Sequence, residues 1–374
     1  MSQKTQSNNR MIYFAYLIFA FTGLQFLIAL LNFLLRVDYS KNKTLTGGLV
    51  SIIIPARNES KNIGNILDDL STQCYQNLEI IVVNDDSEDN TSEIILEKSQ
   101  IDTRIQLIDS ALTDKGWLGK NHACFRGANH AKGKYLLFID ADVRLGQDAI
   151  ASVLGYLKKS NTVFLSVFPM QILLNKEVKR IVPLMNYILL SLLPLFLVRY
   201  SKFPSLSAAN GQLMLFDTEV YRAVEPHQKF RNEKVEDIHI ARFLKKLKYK
   251  IACLTGNDDI SCNMYDNHEE AMEGFSKNIV SFFGDSFFAA ILFWLVAFTG
   301  IIWIVIFLPW IYTILYITMT IGIRTYIALA SKQSMRDNIW MHVEQIFNLG
   351  LLIATSLKHK IKKSYQWKGR NIGS

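Results

Sequence analysis

The sequence predicts an α/β fold, a mostly parallel sheet between helices, carried by membrane-spanning helices at its N- and C-terminal ends. Three observations point there. Between residues 47 and 254, short apolar runs alternate with polar, helix-like stretches, the pattern of a parallel sheet covered on both faces. Residues 11–35 carry no charge, and neither do residues 286–323. Each run is long enough to cross a bilayer, at about 20 residues per helical crossing.

The first run is too long and lacks the small-residue cleavage site of a removable signal peptide, so it reads as a retained anchor over residues 1–46. The second is broken by Pro309 near its middle and reads as two helices of a hairpin. Residues 339–357 are apolar but include His342, Glu344, Gln345 and Asn348; an amphipathic helix at the interface accommodates those groups. Residues 181–198 hold Pro183 and Pro194 and read as an interfacial or re-entrant segment beside an active site.

Of 374 residues, 50% are hydrophobic, and the formal net charge of +8 gathers near the membrane-flanking ends. Lys41 and Lys43 follow the anchor; Lys358, Lys360, Lys362, Lys363, Lys368 and Arg370 form the tail. Basic flanks favour the cytosolic side, which places the middle of a multi-pass protein in the cytosol. Lys4 and Arg10 then lie on the far side, a mild departure from the rule. No basic stripe is interleaved with aromatics away from these ends, which argues against nucleic-acid binding. Cys74, Cys124, Cys253 and Cys262 show no zinc spacing and read as reduced and structural.

In the middle, "LVSIIIPA" is a buried strand ending at a proline. "NESKNIGNILDDLSTQ" is a helix with Asn58 as a possible cap. "LEIIVVN" is the second strand, "SEIILEKS" a helix, "RIQLIDS" the third strand, "NHACFRGANHAKG" a helix and "YLLFIDADV" the fourth strand. Ligands of such sheets sit beyond the strand C-terminal ends, where the unusual polar residues fall. Asp140 and Asp142, at i and i+2, point to one side of an extended chain. Two carboxylates there repel unless a cation lies between them. A hard divalent ion, Mg2+ or Mn2+, fits, with phosphate completing its shell. The plainer reading is a surface turn with two solvated aspartates; the apolar strand before them weighs against it.

The order "SIIIPARNE", "VVNDDSEDNT", "GKNHACFRGANHAKGKYLLFIDADV" and "VEDIHIARFLK" resembles the family 2 inverting glycosyltransferases of the GT-A fold, the nucleotide-diphospho-sugar transferase fold. It covers about 200 residues. "GWLGKNHA", the hairpin and the closing "WKGR" look like bacterial membrane glycosyltransferases of lipids, in particular the carotenoid glycosyltransferases. The resemblance implies a DXD metal motif at Asp140 and Asp142, and a nucleotide pocket lined by the loop of Pro55, Ala56 and Glu59. It also implies that Asp85 meets the base, commonly uracil. The Asp of the Glu236–Asp237 pair is implied as the general base, Glu236 being its neighbour. Beside that role stands an ordinary one, acids stabilising a helix start. Lys120 near a helix start suits a diphosphate. His122 reads more readily as a packed helix histidine than as a ligand, and Trp117 as a lid or membrane contact. Asn210 and Gln212 are candidate polar contacts in a small-residue turn.

Residues 47–280 are thus expected to be a cytosolic GT-A domain at the cell membrane, followed over 281–374 by hairpin, amphipathic helix and basic tail. The expected function is metal-dependent, inverting transfer of a hexose from a nucleotide-sugar, UDP-glucose or similar, to a lipid such as a carotenoid or another hydroxylated lipid. Transfer to polyprenyl phosphate is the alternative within the fold; a non-catalytic nucleotide-binding membrane protein is the alternative outside it. Processive and ceramide-type relatives carry Gln-x-x-Arg-Trp ahead of the hairpin, where this chain has Glu273, Gly274 and Phe275. That departure argues for a single transfer to a lipid.

Overall fold

The computed structural model describes residues 2–110, 116–362, 366–367 and 370–371; Lys363 and Lys368 of the tail lie outside the described residues. The sheet has seven strands: β1 Val50–Ala56, β2 Leu78–Asn84, β3 Ile105–Asp109, β4 Tyr135–Ile139, and three further on. A three-residue strand, β5 Val143–Leu145, follows the fourth; β6 Phe164–Phe168, β7 Met170–Gln171, β8 Leu213–Asp217, β9 Ile251–Thr255 and β10 Ile260–Cys262 complete the domain. The order is β3-β2-β1-β4-β8-β6-β9. Strands β1 to β4 run parallel in register Val50↔Leu78 and Val50↔Tyr135, whereas β8 is antiparallel to β4 and β6. The expected sheet is therefore mostly parallel, with one reversed strand inserted at its middle. A small sheet, β5-β10-β7, stands beside it.

The strands read as unbroken apolar runs because both faces are covered. Ile52, Ile54, Ile80, Val82, Leu137 and Ile139 face one way, toward helices α2 (Ile63–Ser71) and, further along the chain, Ala149–Ser160. Ile53, Ile81, Val83, Leu136, Phe138 and Phe216 face the other, the period-two alternation of a pleated strand. That second face packs on the helix Gly119–His130 and continues without interruption through Pro183–Leu192 to Ile323, Ile327 and Leu349 of the C-terminal helices.

Among the described residues, three helices are long and apolar enough to cross a membrane: the N-terminal helix, Phe287–Phe307 and Trp310–Ala330. They pack on one another, and Pro183–Leu192 packs on the N-terminal and second hairpin helices. Residues 181–191 of the segment expected to be interfacial are buried, and residues 194–197 are half-buried. Asn32 of the N-terminal helix fixes its end, donating to the Leu190 and Leu193 carbonyls at 2.9 Å and accepting from Leu195 N–H. The third apolar stretch starts as a short helix, Met335–Trp340, then turns at Met341 into His342–Lys362. Asn58 is not the cap of α2. It has φ +51° and lies five residues ahead of Ile63, and its side chain accepts the Glu88 N–H instead.

Candidate active site

The parallel strands deliver their last residues to one end of the sheet. Ala56 ends β1; it is buried in the core and its carbonyl accepts Asp85 N–H at 2.8 Å, whereas Pro55 and Glu59 are half-buried. Asp85 follows β2 and is buried. Arg57, also buried, donates to the carbonyls of Asp85 (2.8 Å) and Asp86 (2.6 Å) and pairs with Asp86 and Glu88 at 3.5 Å. It ties the first two strand-end loops together. No local sequence pattern announces it beyond a lone basic residue facing acids one strand away.

Asp140 and Asp142 do not lie on extended chain. β4 stops at Ile139, and Val143 N–H donates to the Asp140 carbonyl at 3.2 Å, closing a turn over residues 140–143. Repulsion between the two still operates. Burial first, then Asp140 and Glu59, pushes the Asp142 carboxyl up to about 7, against a lowering hydrogen bond from Cys262 and the charge of Lys120. Gln212 Nε2 stands 3.5 Å from Asp142 and 2.8 Å from Cys262 Sγ. Cys262 is therefore more than core filling, because its strand β10 pairs Cys262 with Val143 and Gln171 and carries the thiol to the turn.

Lys120, from the first turn of the helix Gly119–His130, reaches Asp140 at 2.8 Å and Glu236 at 3.9 Å. Burial works against its charge, but Asp140 and then Glu236 outweigh that and hold the ammonium well above its ordinary range. Glu236 and Asp237 open the helix Glu236–Lys246. Burial, reinforced by Asp237, pushes Glu236 up to about 7 while Lys120 opposes. Burial likewise raises Asp237, against hydrogen bonds from Ile238 N–H (2.7 Å) and Gly211 N–H (2.8 Å) and the charge of Lys120. Each Asp237 oxygen thus has one fixed backbone donor, and the carboxylate is oriented rather than free to rotate.

Gly211 is the hub. A Cβ there would stand 3.2 Å from Lys120 Nζ, 3.3 Å from Glu236 Oε1 and 3.8 Å from Asp237 Oδ2. The structure thus brings Lys120, Asp140, Glu236 and Asp237 together from three distant chain segments, with Asp142 beside Asp140. His122 is buried and bonded to Ser110 Oγ at 3.0 Å, with Trp117 packed on it; both belong to the framework. Gly274 lies against the Tyr265 ring, and Phe275 packs edge-on to the same ring.

A divalent ion suits this donor set in part. Asp142 carries the desolvation and repulsion that a cation would relieve, and its oxygens are hard ligands. Among the described residues, no group of three or more His, Cys, Asp or Glu is placed to hold a metal. The protein would supply one or two carboxylates and leave the remaining positions to a bound phosphate, which is how Mg2+-type sites are commonly filled.

Residues 51–224 match the family described as glycosyl transferase family 2; the match ends before Glu236 and Asp237. The chain is 26% identical over 276 residues, 70% of either chain, to a 4,4'-diaponeurosporenoate glycosyltransferase of Staphylococcus haemolyticus. It is 38% identical over 136 residues to the Staphylococcus aureus enzyme of the same name, a match spanning 35% of that relative. A mannosyltransferase of Pyrobaculum calidifontis, solved with GDP-Man and Mn2+, shares the fold with a TM-score of 0.54 at 16% identity, over 92% of this chain and 99% of its own.

Proposed function

We propose that this chain, in which a glycosyl transferase family 2 domain occupies residues 51–224, is a membrane-embedded hexosyltransferase. It moves a sugar from a nucleotide-sugar, UDP-glucose or similar, to a carotenoid or other membrane lipid by a single displacement with inversion. The observation that carries this reading is the convergence of Lys120, Asp140, Glu236 and Asp237 around Gly211. The apolar core that joins the sheet to the membrane helices supports a lipid acceptor.

In this reading the loop of Pro55 and Glu59 and the buried Asp85 meet the nucleoside, whose ring N–H an Asp can select by accepting from it. Asp142, supported by Asp140, holds a divalent ion, Mn2+ or Mg2+, which when bound neutralises charge on the diphosphate leaving group. Lys120 adds a cation at the same place while keeping Asp140 aligned. Asp237, fixed by the Gly211 and Ile238 amides, takes the acceptor proton as the acceptor oxygen attacks the anomeric carbon. Glu236, pushed up to about 7, spends part of its time protonated near neutral pH and so limits repulsion against Asp237. The domain faces the cytosol, with the basic flanks of the helices on the same side.

Two measurements test this. Purified protein in lipid nanodiscs is assayed with UDP- and GDP-sugars against hydroxyl, carboxylate and phosphate lipids in parallel. Asp237→Asn should lower transfer at least 100-fold for a hydroxyl acceptor, within the range for loss of a general base; full turnover would remove Asp237 from that role. Thermal unfolding with UDP or GDP should shift upward only when Mn2+ or Mg2+ is present, and Asp142→Asn should abolish the shift. No shift with any nucleotide, in folded protein, would point to a domain without the chemistry.

A further inference from the structure

The Lys120 ammonium does not lean on one oxygen of Asp140. Its Nζ stands 2.8 Å from Oδ1 and 2.8 Å from Oδ2, astride the carboxylate, with Glu236 Oε1 3.9 Å away. Asp142 is served differently. Its hydrogen-bonding neighbours are the Gln212 amide at 3.5 Å and the Cys262 thiol, both neutral. Among the described residues no basic side chain lies within ion-pair distance of it. One lysine thus compensates one aspartate of the pair and leaves the other.

The main chain fixes both partners. Lys120 belongs to the first turn of the helix Gly119–His130, and Asp140 N–H is bound to the Gln212 carbonyl at 3.1 Å. The two side chains are 24% and 26% exposed, so a solute reaches them, and the flexible stem of Lys120 is the part able to move. An ion seated on Asp140 would need an oxygen that Lys120 already covers, and would bring its double charge against the ammonium. A lysine ammonium is a compact charge that can exchange one anion for another, and phosphate is a partner it commonly takes.

We infer that Lys120 gates the divalent-ion site: it withholds Asp140 from the ion until a nucleoside diphosphate draws the ammonium away, and Asp140 then joins Asp142. The protein by itself offers the ion Asp142 and holds it weakly; ion loading follows the nucleotide. The inference rests on the ion site of the proposed function, but its test needs no sugar transfer.

The full chain in phosphatidylcholine nanodiscs is titrated with Mn2+ at about pH 8, where Glu236 is ionised, the free ion being read by electron paramagnetic resonance. Without nucleotide, Lys120→Met should bind Mn2+ about tenfold tighter than the wild type, or more. UDP should tighten Mn2+ on the wild type by a similar factor, after allowance for the ion held by UDP in solution; about tenfold lies within the usual coupling between two ligands. Two double variants restore the wild-type net charge and so separate a freed carboxylate from simple electrostatics. Lys120→Met with Glu236→Gln should keep the gain, whereas Lys120→Met with Asp140→Asn should lose it. Lys120→Gln replaces Lys120→Met throughout if the latter does not fold. Equal behaviour of the two double variants, or Mn2+ bound by the wild type as tightly without UDP as with it, would overturn the gate. An Mn2+ site that Asp142→Asn removes and Lys120→Met does not improve sinks the gate alone. No Mn2+ binding in any variant, with or without UDP, sinks the proposed ion site as well.

Discussion

At the scale of single residues, the site is a balance of four charges around one glycine. Gly211→Ala would place a methyl 3.2 Å from Lys120 Nζ and 3.3 Å from Glu236 Oε1, tight enough that both must yield. Transfer should fall about tenfold or more, since small misplacements in a catalytic constellation are costly. Stability should change little, because the displaced groups are side-chain ends; a variant with wild-type kinetics would show that the spacing is slack. Glu236 has a pH signature. Its folded value near 7 exceeds its unfolded value, so between about pH 4.5 and 7 the unfolded chain releases the proton first. Stability then falls as pH rises through that window and stays reduced above it, by on the order of 3 kcal/mol. Glu236→Gln cannot titrate, and its melting temperature should drop less than that of the wild type between pH 5 and pH 8. Parallel profiles would mean that the carboxylate is compensated in the folded state.

Among elements, the helix Gly119–His130 sets the position of Lys120. It lies on β1 and β2 with Gly127 against them, where a Cβ would stand 2.5 Å from Ile53 Cγ2 and 3.1 Å from Val83 Cγ2. Gly127→Val should therefore lift the helix from the sheet and cost about 1–3 kcal/mol by overpacking. Transfer should decline beyond the loss of folded protein, because Lys120 moves with the helix. Intact specific activity per folded molecule would uncouple the two. This glycine sits in a sequence stretch that shows only a helix containing small residues. The close approach to Ile53 exists only once β1 and the helix are stacked.

For the whole molecule, the important feature is that one core runs from the sheet face at Phe138 and Phe216, through Pro183–Leu192, to Ile327 and Leu349. The sheet domain shares this core with the helices long enough to cross a membrane. Residues 47–280 expressed alone should expose this apolar face and aggregate, as large exposed apolar patches do. Size-exclusion chromatography and thermal melting would check it; a monodisperse excised domain with the melting temperature of the full chain would refute the shared core.

The alternation of strands and helices, the apolar runs of membrane length and the residues at the strand ends can all be read from the chain alone. These are local matters, since hydrophobic period and run length depend on neighbours along the chain. Whatever depends on distant segments meeting emerges with the fold. β8 enters reversed between β4 and β6 because pairing, not composition, sets strand direction. Asp140 and Asp142 sit on a turn because β4 stops where Gln212 O takes the Asp140 N–H. Residues 181–191 are buried because the N-terminal and second hairpin helices pack on them, although their hydropathy alone suits an interface equally well. Arg57, Gly211 and Cys262 acquired their places in the same way. A side chain's charge is written in the sequence, but whether it is paired, strained or left without a counter-ion is set by what folding brings beside it.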